Sequence, residues 1–308
     1  MTKVFIDGSA GTTGLRIHSR LENRSDIKLI TLSEELRKDT AARKDALNSA
    51  DIAFLCLPDA AAIEAVSLVE NSNTAIIDTS TAHRTNEAWA YGFSELKGYY
   101  DKIKASKRIA NPGCHASGFI ALVKPLIDEG FLKNDTALSC FSLTGYSGGG
   151  KKMIAEYEDN NRSPLLNAPR QYGLTQEHKH LREMVKISGL DTAPAFCPIV
   201  APFYSGMQVS VPLFKKDIKG SLDDIKNIYK NYYQNGLVHF CDSADYGGFL
   251  SAAKYSGRDD MLLTLSGNEE RIVLTAIYDN LGKGASGAAI QNMNILLGVK
   301  ENTGLVEE

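Results

Sequence analysis

Cys114 has the local sequence of a nucleophilic cysteine. It stands in a turn-forming stretch, residues 111–118, which begins Asn-Pro-Gly, and an apolar run at residues 119–123 follows. This pattern predicts that Cys114 lies at or just before the N-terminus of a helix. The helix dipole and any nearby imidazolium stabilise a thiolate at such a position, so Cys114 could form a covalent intermediate.

The other four cysteines lack this setting. Cys56, Cys140 and Cys197 lie in apolar, strand-like segments, which predicts core side chains, and Cys241 lies in a polar loop. No two cysteines form a CxxC pair, and their odd number, 5, argues against a disulfide framework. We therefore expect five free thiols.

A general acid or base could come from residues 172–184, which hold two of the 6 histidines. On a helix, His180 and Glu183 are three residues apart and share a face, so Glu183 could orient the imidazole, whereas His178 points elsewhere. Zinc binding is the alternative. Two histidines in an HxH pattern diverge on a helix, however, and no third ligand at a fixed spacing follows, so we expect no metal.

A glycine-rich turn near the N-terminus has the position of a dinucleotide-binding loop. It follows a short apolar strand at residues 3–7 and opens a helical pattern at residues 13–21. Glycines in that context let the backbone approach a pyrophosphate at a helix N-terminus. The spacing is GxxGxxG instead of GxGxxG, and the alternative is a plain strand-to-helix turn. The candidate cofactor contacts are Gly8, Gly11, Thr12, Thr13 and Gly14.

Charged residues after the second predicted strand bear on the choice of cofactor. Glu34 and Glu35 could accept a hydrogen bond from the ribose 2′-hydroxyl of NAD. Arg37 and Lys38 follow at once and could pair with the 2′-phosphate of NADP. We favour NADP, with Ser33 beside the two cations as a further contact, and the alternative is a solvated helix face.

Two more segments could hold an anion. Residues 76–84 end a predicted strand in hydroxyl groups and a guanidinium, and Ser80 and Arg84 are the candidate phosphate or carboxylate contacts. A second glycine-rich stretch, residues 144–152, offers Ser147 and Gly148 in the same role. The alternatives are an ordinary polar loop for the first segment and a mobile loop for the second.

The elements that must position these side chains form an α/β pattern. Apolar runs at residues 27–32, 52–57 and 75–77 alternate with helix-compatible segments, which predicts βαβ units and a doubly wound parallel sheet of the Rossmann type. After about residue 115, longer strands separated by polar connections predict a mixed α+β domain. We expect a cofactor domain at residues 1–114, completed by a C-terminal helix at residues 284–308, and a catalytic domain at 115–283.

Composition excludes several classes of function. The chain is 43% hydrophobic and 23% charged, as in ordinary globular proteins, and its net charge of −3 gives no reason to expect a nucleic-acid partner. No apolar run is long enough to span a bilayer, and the N-terminus lacks the pattern of a signal peptide. We expect a cytoplasmic protein without a membrane partner.

With these motifs together, the sequence resembles the N-acetyl-γ-glutamyl-phosphate reductase family of arginine biosynthesis, and in particular its shorter branch. The residues that carry the resemblance are 8–14, Asp78, Thr79, Ser80, Arg84, 111–116, 178–180, Glu183 and 279–292. The resemblance implies a Rossmann domain followed by a dehydrogenase domain of the aspartate-semialdehyde dehydrogenase type. It also implies that Cys114 is the nucleophile, that His180 is the acid/base, and that the segment from Asn280 reaches the cofactor. One departure is Ser94, where the family pattern has proline.

The implied reaction is the NADPH-dependent reduction of an acyl phosphate through a cysteine thioester, with release of inorganic phosphate. The implied assembly is a homo-oligomer, a dimer or a tetramer. Aspartate-semialdehyde dehydrogenase is the nearest alternative, because it shares the fold, the cofactor and the thioester route. An alternative of another class is a non-catalytic regulator that senses NADP, with Cys114 as a structural or redox-sensing thiol.

Overall fold

The structure, a computed structural model, describes residues 1–307, and the chain divides into two compact units. The first unit contains Met1–Ser94, Gly98–Gly113 and Ala285–Leu305, and the second contains Glu95–Lys97, Cys114–Gly284 and residues 306–307. Glu308, the end of the predicted C-terminal segment, lies outside the described residues. None of the described helices combines the length and the apolar character needed to cross a membrane.

The first unit is built on a six-stranded sheet in which every pairing is parallel. The strand order is β2-β1-β3-β4-β6-β5, so the chain moves outwards from β1 in one direction and then crosses back to extend the sheet in the other. This is the doubly wound arrangement that the sequence predicts. Its elements in chain order are β1 (Thr2–Asp7), α1 (Thr12–Leu21), β2 (Ile27–Ile30), α2 (Thr40–Ser49), β3 (Ile52–Leu55), α3 (Asp59–Ser67), β4 (Ala75–Asp78), β5 (Ala90–Tyr91), α4 (Tyr99–Ala105) and β6 (Arg108–Ala110).

The second unit is built on a seven-stranded mixed sheet of order β11-β12-β13-β10-β7-β9-β8, which confirms the predicted mixed α+β domain. Its elements are α5 (Cys114–Asp128), β7 (Ser139–Gly145), α6 (Gly150–Glu158), β8 (Arg170–Gln171), α7 (Leu181–Ser188), β9 (Ala195–Ala201), β10 (Met207–Phe214), α8 (Leu222–Tyr232), β11 (Val238–Phe240), β12 (Met261–Gly267) and β13 (Arg271–Tyr278). The last helix of the chain, α9 (Gly287–Leu297), belongs to the first unit.

Successive side chains of the first sheet point to opposite faces, and helices cover both faces. Val4 and Ile6 pack in one core cluster with residues of α1 and α9, and Phe5 packs in the other with residues of α2 and α3. All residues of β3 and β4 are buried, which is why these strands are continuous apolar runs in the sequence. The C-terminal helix α9 thus packs within the core of the first unit.

The C-terminal helix is shorter than the segment assigned to it. A π-helical turn at Gly282–Ser286 precedes α9, and the left-handed Gly298 ends the helix, so that turns follow it. Gly298 has φ 69°, a conformation that favours glycine and stops the i to i−4 hydrogen bonds. Within 284–308, only Gly287–Leu297 is α-helical among the described residues.

The segment around Ser94 is held by polar contacts in place of the expected proline. The Ser94 hydroxyl donates to Glu301 Oε2 at 2.9 Å and accepts from Gln291 Nε2 at 2.9 Å, all within the first unit. The next residue, Glu95, accepts hydrogen bonds from Lys283 Nζ at 2.7 Å and from the Leu237 amide at 2.9 Å. These bonds explain why residues 95–97 belong to the second unit.

Candidate active site

Cys114 is the first residue of α5, as the sequence predicts. The hydroxyl of Tyr278, on β13, bridges the first turn of this helix: it donates to the Cys114 carbonyl at 2.5 Å and accepts from the Gly118 amide at 3.1 Å. A Cβ at Gly118 would lie 2.7 Å from that hydroxyl, so glycine is required there. The backbone at Gly284 packs against Cys114 as well, since a Cβ at position 284 would lie 3.1 Å from the Cys114 Cβ.

Three imidazole rings cluster in the second unit, and one of them belongs to His115, the residue directly after Cys114. The His115 ring centroid lies 5.6 Å from that of His178 and 5.6 Å from that of His180. His115 is buried and hydrogen-bonded at both nitrogens, Nδ1 to Ser142 Oγ at 2.6 Å and Nε2 to the Tyr172 hydroxyl at 2.6 Å. His115 lies on α5 and Ser142 on β7, whereas Tyr172, His178 and His180 lie in the segment before α7.

The expectation that His178 points away from His180 is wrong. Residues 172–180 are not helical, and α7 begins only at Leu181, with His180 at its N-cap. The ring of His178 folds back so that its Nδ1 accepts a hydrogen bond from the His180 amide at 3.2 Å. The two ring centroids are therefore 4.7 Å apart.

His180 and Glu183 share a face, as predicted. His180 Nε2 lies 4.0 Å from Glu183 Oε1, and both side chains are buried. The distance is longer than a hydrogen bond, but it leaves the carboxyl group within electrostatic reach of the imidazole.

Burial controls the charge of the groups around His115. Burial, and then the charge of His178, lower the pKa of His115 to about 3, so this imidazole is neutral at physiological pH. Burial, and then a negative charge on Cys114, raise the pKa of Tyr172, so its phenol keeps the proton. The side chains of Tyr172 and His115 are therefore uncharged and act as neutral hydrogen-bonding groups.

All five cysteines are free thiols. Cys140 is fully buried, as predicted, but Cys56 and Cys197 are only partly buried, so the prediction of three core cysteines is too broad. Cys197 lies on β9, at a position that is only partly buried. Cys56 directly follows β3, and desolvation raises the pKa of its thiol to about 12. Cys241 is partly exposed, and its thiol donates to the Ser243 carbonyl at 3.1 Å.

The glycine turn of the first unit lies between β1 and α1, as predicted. Gly8 has φ 86°, and a Cβ there would collide with the Cys56 carbonyl. At Gly14, on the first turn of α1, a Cβ would lie 2.5 Å from the Gly8 carbonyl oxygen. Glycine at both positions lets the turn pack closely against the backbone after β3 and against the start of α1, and Gly11, Thr12 and Thr13 lie between the two glycines.

A cavity of about 380 Å³ opens beside this turn, within the first unit. Gly8, the end of β2, Arg37 and Lys38 line it, and Ser33, Glu34 and Glu35 do not. Glu34 forms an ion pair with Arg37 from outside the cavity. The geometry of this loop therefore fits NADP, through Arg37 and Lys38, better than it fits NAD, through Glu34 and Glu35.

The candidate anion contacts lie in both units. Ser80 and Arg84 belong to the first, and both already form hydrogen bonds: the Ser80 hydroxyl donates to Asp78 in its own loop at 2.8 Å, and Arg84 Nε donates to the carbonyl of Asn111, after β6, at 2.9 Å. Ser147 and Gly148 belong to the second. Asn280, also in the second unit, donates from its amide to Ser147 Oγ at 3.0 Å.

The second glycine-rich stretch has regular secondary structure. It forms a 3₁₀ turn at Tyr146–Gly149 and then begins α6 at Gly150. The amides of Tyr146 and Ser147 donate to the carbonyls of Phe203 and Tyr204 at 2.9 and 3.0 Å, which anchors the turn. Among residues 1–307, no three or more His, Cys, Asp or Glu side chains are grouped so as to hold a metal ion.

Several residues of this site could not be identified from the sequence alone. His115 is adjacent to Cys114, but only the fold brings Ser142 and Tyr172 to its two nitrogens. Tyr278 lies 164 positions from Cys114. The one available signal is that Tyr278 is a polar group on the otherwise apolar, inward-facing positions of β13, whereas Ser142 shares its face of β7 with another hydroxyl, that of Thr144.

Comparisons with known proteins agree with this organisation. The family model described as "Semialdehyde dehydrogenase, NAD binding domain" matches residues 3–105. The model described as "Semialdehyde dehydrogenase, dimerisation domain" matches residues 114–280. The chain thus carries an NAD(P)-binding domain followed by the second domain of that family.

Solved structures of low sequence identity share the fold. Aspartate semialdehyde dehydrogenase II from Vibrio cholerae, complexed with ASA, superposes with a TM-score of 0.70 at 16% identity, covering 97% of this chain and 98% of that one. Aspartate semialdehyde dehydrogenase with NADP from Candida albicans gives a TM-score of 0.67 at 15% identity, covering 98% of this chain and 100% of that one.

Proteins of much higher sequence identity narrow the choice of family. Proteins named N-acetyl-gamma-glutamyl-phosphate reductase from Brucella ovis and Brucella canis are each 46% identical over 307 residues, which covers 96% of this chain and 99% of the relative. The chain therefore belongs to the N-acetyl-γ-glutamyl-phosphate reductase family of the semialdehyde dehydrogenases.

Proposed function

We propose that this protein reduces N-acetyl-γ-glutamyl phosphate to N-acetylglutamate semialdehyde and releases inorganic phosphate. The observation that carries the proposal is the placement of Cys114 at the start of α5, in the unit that also holds the imidazole cluster and Glu183. The names of the relatives at 46% identity support the acetylated substrate.

In the proposed first half-reaction, Cys114 Sγ forms a bond to the γ-acyl carbon. The bond from that carbon to the phosphate oxygen breaks, inorganic phosphate leaves and a thioester remains. His180, oriented by the charge of Glu183, accepts the thiol proton and can donate it to the departing phosphate. The N-terminus of α5 can stabilise the oxyanion, because the helix dipole favours negative charge there.

The first unit is suited to the cofactor of the second half-reaction. When bound, NADPH supplies the hydride that reduces the thioester. The turn from Gly8 to Gly14 would hold the pyrophosphate at the N-terminus of α1, and Arg37 and Lys38 would pair with the 2′-phosphate in the cavity that they line. The tetrahedral oxyanion at Cys114 then collapses, the thiolate leaves and the semialdehyde is released.

The remaining site residues complete the proposal. Ser80, Arg84, Ser147 and Gly148 are the candidate contacts to phosphate or carboxylate, and Ser33 and Asn280 remain candidate cofactor contacts. Cofactor binding is assigned to the first unit, which corresponds to the predicted residues 1–114 with the C-terminal segment, and catalysis to the second unit, which holds Cys114 in addition to the predicted residues 115–283. The five free thiols fit the reducing conditions of the cytoplasm, where we place the protein.

The test is the reverse reaction, followed by the absorbance of the reduced nicotinamide. N-acetylglutamate semialdehyde and aspartate semialdehyde are supplied separately, each with NADP or NAD and with or without phosphate. We expect turnover with the acetylated aldehyde, dependent on phosphate and faster with NADP. Turnover with aspartate semialdehyde alone would reassign the substrate, and no turnover with either would favour the non-catalytic regulator.

We also propose that the protein is a homo-oligomer, because one face of the second sheet remains open. Helices α5, α7 and α8 pack on one side of the unit, whereas the alternate side chains of the central strands are only partly buried or exposed. Phe141 is 45% exposed and Phe214 is 54% exposed. The apolar members of this open face are Phe141, Leu143, Cys197, Ile199, Pro212, Phe214 and Val273. A second copy would remove this face from water.

Phe141→Lys is expected to shift the protein to a smaller oligomer, because a charge at the centre of an apolar interface opposes its burial. Light scattering after gel filtration measures the mass of each variant. Ile63→Lys, which changes an exposed isoleucine on α3 in the first unit, is the matched control and should keep the wild-type mass. An unchanged mass for Phe141→Lys would mean that this face does not form the interface.

A further inference from the structure

Two buried side chains of the second unit, Asn280 and Ser147, meet at one edge of its sheet. The strand register pairs Met207, at the start of β10, with Thr144 near the end of β7 and with Tyr278 at the end of β13. Ser147 follows β7 and Asn280 follows β13, so both lie at this edge. Each residue is only 1% exposed, and Asn280 Nδ2 lies 3.0 Å from Ser147 Oγ.

The direction of this hydrogen bond follows from the other end of the Asn280 side chain. The backbone amide of Gly206, which can only donate, lies 2.9 Å from Asn280 Oδ1, so the side-chain oxygen must face Gly206. Asn280 Nδ2 therefore faces Ser147 and donates to its Oγ. Because the Ser147 oxygen accepts this bond, the proton of its hydroxyl is left to donate to another group.

Two hydrogens of this pair have no acceptor among residues 1–307. Asn280 Nδ2 carries two hydrogens and uses one for Ser147, and the Ser147 hydroxyl donates to no side chain or carbonyl of this part of the chain. A buried donor without an acceptor is costly, so two adjacent ones indicate an acceptor that a ligand brings. An oxyanion has enough lone pairs to accept from both donors.

The surroundings of the pair favour a negative charge. A Cβ at Gly148 would lie 3.5 Å from Asn280 Nδ2, so glycine leaves the space beside the amide open. Helix α6 begins at Gly150 with no side-chain cap and no acidic residue in its first turn, which contains Lys151 and Lys152. The helix dipole and these two cations make the potential near the N-terminus of α6 positive.

The pair is also close in the chain to residues that contact the nucleophile. Tyr278, two residues before Asn280, donates to the Cys114 carbonyl at 2.5 Å. At Gly284, four residues after Asn280, a Cβ would lie 3.1 Å from the Cys114 Cβ. An anion at Asn280 and Ser147 would therefore lie in the part of the second unit that packs around Cys114.

Ser80, the other serine among the candidate anion contacts, has no such proton to offer. Its hydroxyl donates to Asp78 Oδ2 at 2.8 Å and accepts from the Ala82 amide at 3.2 Å. An ionised carboxylate can only accept, so the Ser80 proton is committed to Asp78. The directions of the hydrogen bonds thus distinguish Ser147 from Ser80.

We propose that Asn280 and Ser147 form a two-donor site for an oxyanion of the substrates, which is either phosphate or the carboxylate of the acetylated compound. Asn280 fixes the direction of the Ser147 hydroxyl and contributes its own second N–H. This inference rests on the proposed function, because it takes the substrates of that reaction as the ligands. It uses the remaining N–H of Asn280 for the substrate, whereas a cofactor contact would use it for NADPH.

The test is the reverse reaction of the full-length protein, in which the KM for phosphate and the KM for N-acetylglutamate semialdehyde are measured separately. Ser147→Ala removes one donor and should raise one of these KM values about tenfold, with kcat little changed. In Asn280→Asp the side chain keeps its shape, but its ionised carboxylate would accept the Ser147 proton. Both donors are then lost, and we expect the same KM to rise roughly 100-fold. The KM that rises identifies the anion as phosphate or as the carboxylate.

Gly148→Ala tests the open space without changing either donor. Its Cβ would make only ordinary van der Waals contacts with the protein, so the fold should be retained while the anion is excluded and the same KM rises. Ser188→Ala is the matched control, because the buried Ser188 hydroxyl, at the end of α7, has no hydrogen-bond partner among the described residues. We expect wild-type KM values for this control, and calorimetric titration should give the wild-type NADP affinity for all four variants.

Three outcomes contradict the inference. Wild-type KM values in Ser147→Ala and Asn280→Asp overturn it. A fall in kcat with both KM values unchanged also overturns it, since the donors would then act on the reacting carbonyl. Weaker NADP binding by Asn280→Asp with unchanged KM values for both substrates would assign the amide to the cofactor. All three leave the proposed function intact, because the wild-type protein still turns over.

The site can be tested even if the proposed function fails. No turnover by the wild-type protein would reject that function, and calorimetric titration with inorganic phosphate would then decide the site by itself. Phosphate binding that Ser147→Ala weakens, and that Ser188→Ala does not, supports the two-donor site. Equal binding by the wild-type protein and Ser147→Ala, or no binding by either, overturns it.

Discussion

Cys114→Ser is expected to lower turnover by on the order of 10⁴-fold or more while NADPH still binds with wild-type affinity. Serine retains the size of the side chain at the start of α5 but is a far weaker nucleophile, and its conjugate base is a far poorer leaving group in the second half-reaction. The proposed contacts to the pyrophosphate and to the 2′-phosphate lie in the first unit, and Cys114 is not among the proposed cofactor contacts. Steady-state kinetics and calorimetric titration with NADPH measure the two quantities separately.

Cys241→Ser is the matched control for this change. Its thiol is partly exposed and donates to the Ser243 carbonyl, a bond that a serine hydroxyl can also make. We expect wild-type kinetics for this variant. Turnover by Cys114→Ser within tenfold of wild type would exclude the thioester route, and a parallel loss of NADPH binding would point to misfolding instead.

His180→Ala is expected to reduce the rate by about 10²–10⁴-fold, the usual contribution of a general acid/base. Loss of that group should also remove the limb of the pH–rate profile that reports its titration. Glu183→Gln should have a smaller effect in the same direction, because Glu183 Oε1 lies 4.0 Å from His180 Nε2 and acts through its charge. The pH dependence of kcat and of kcat/KM in each variant is the measurement.

His178→Ala is the necessary comparison, because the two rings are neighbours. The Nδ1 of His178 already accepts a hydrogen bond from the His180 amide, so only its Nε2 can exchange a proton with other groups. We expect the smaller loss for His178→Ala. If this variant is the crippled one and His180→Ala retains activity, the acid/base role belongs to His178.

The contrast between these two histidines shows where sequence reasoning stops. Treating residues 172–184 as one helix places His180 and Glu183 correctly, because that pair lies at the start of α7 and within its first turn. It fails for His178, which lies in a turn before the helix. The periodicity of a helix predicts side-chain directions only inside the helix, and the residues before it follow whatever hydrogen bonds the turn makes.

The position of Cys114 was predictable for a local reason. A Pro-Gly turn directly before an apolar run marks a helix start whatever packs around it, and α5 begins at Cys114. His115 could not be assigned in the same way. Its partners Ser142 and Tyr172 are 27 and 57 positions away, and nothing local records which buried hydroxyl will meet which ring nitrogen.

The sequence by itself determined the elements and their class: the apolar runs of β1, β3 and β4, the glycine turn that enters α1, and the change to a mixed sheet after α5. These features arise from interactions between near neighbours and from burial of whole segments, and both leave periodic patterns in the chain. The tertiary structure decided the convergence of His115, His178 and His180, the bridge from Tyr278 to the first turn of α5, and the placement of Arg37 and Lys38, without Glu34 or Glu35, along the cavity. Those contacts join residues distant in sequence or depend on the exact direction of a turn, so they are set by the packing of the complete fold.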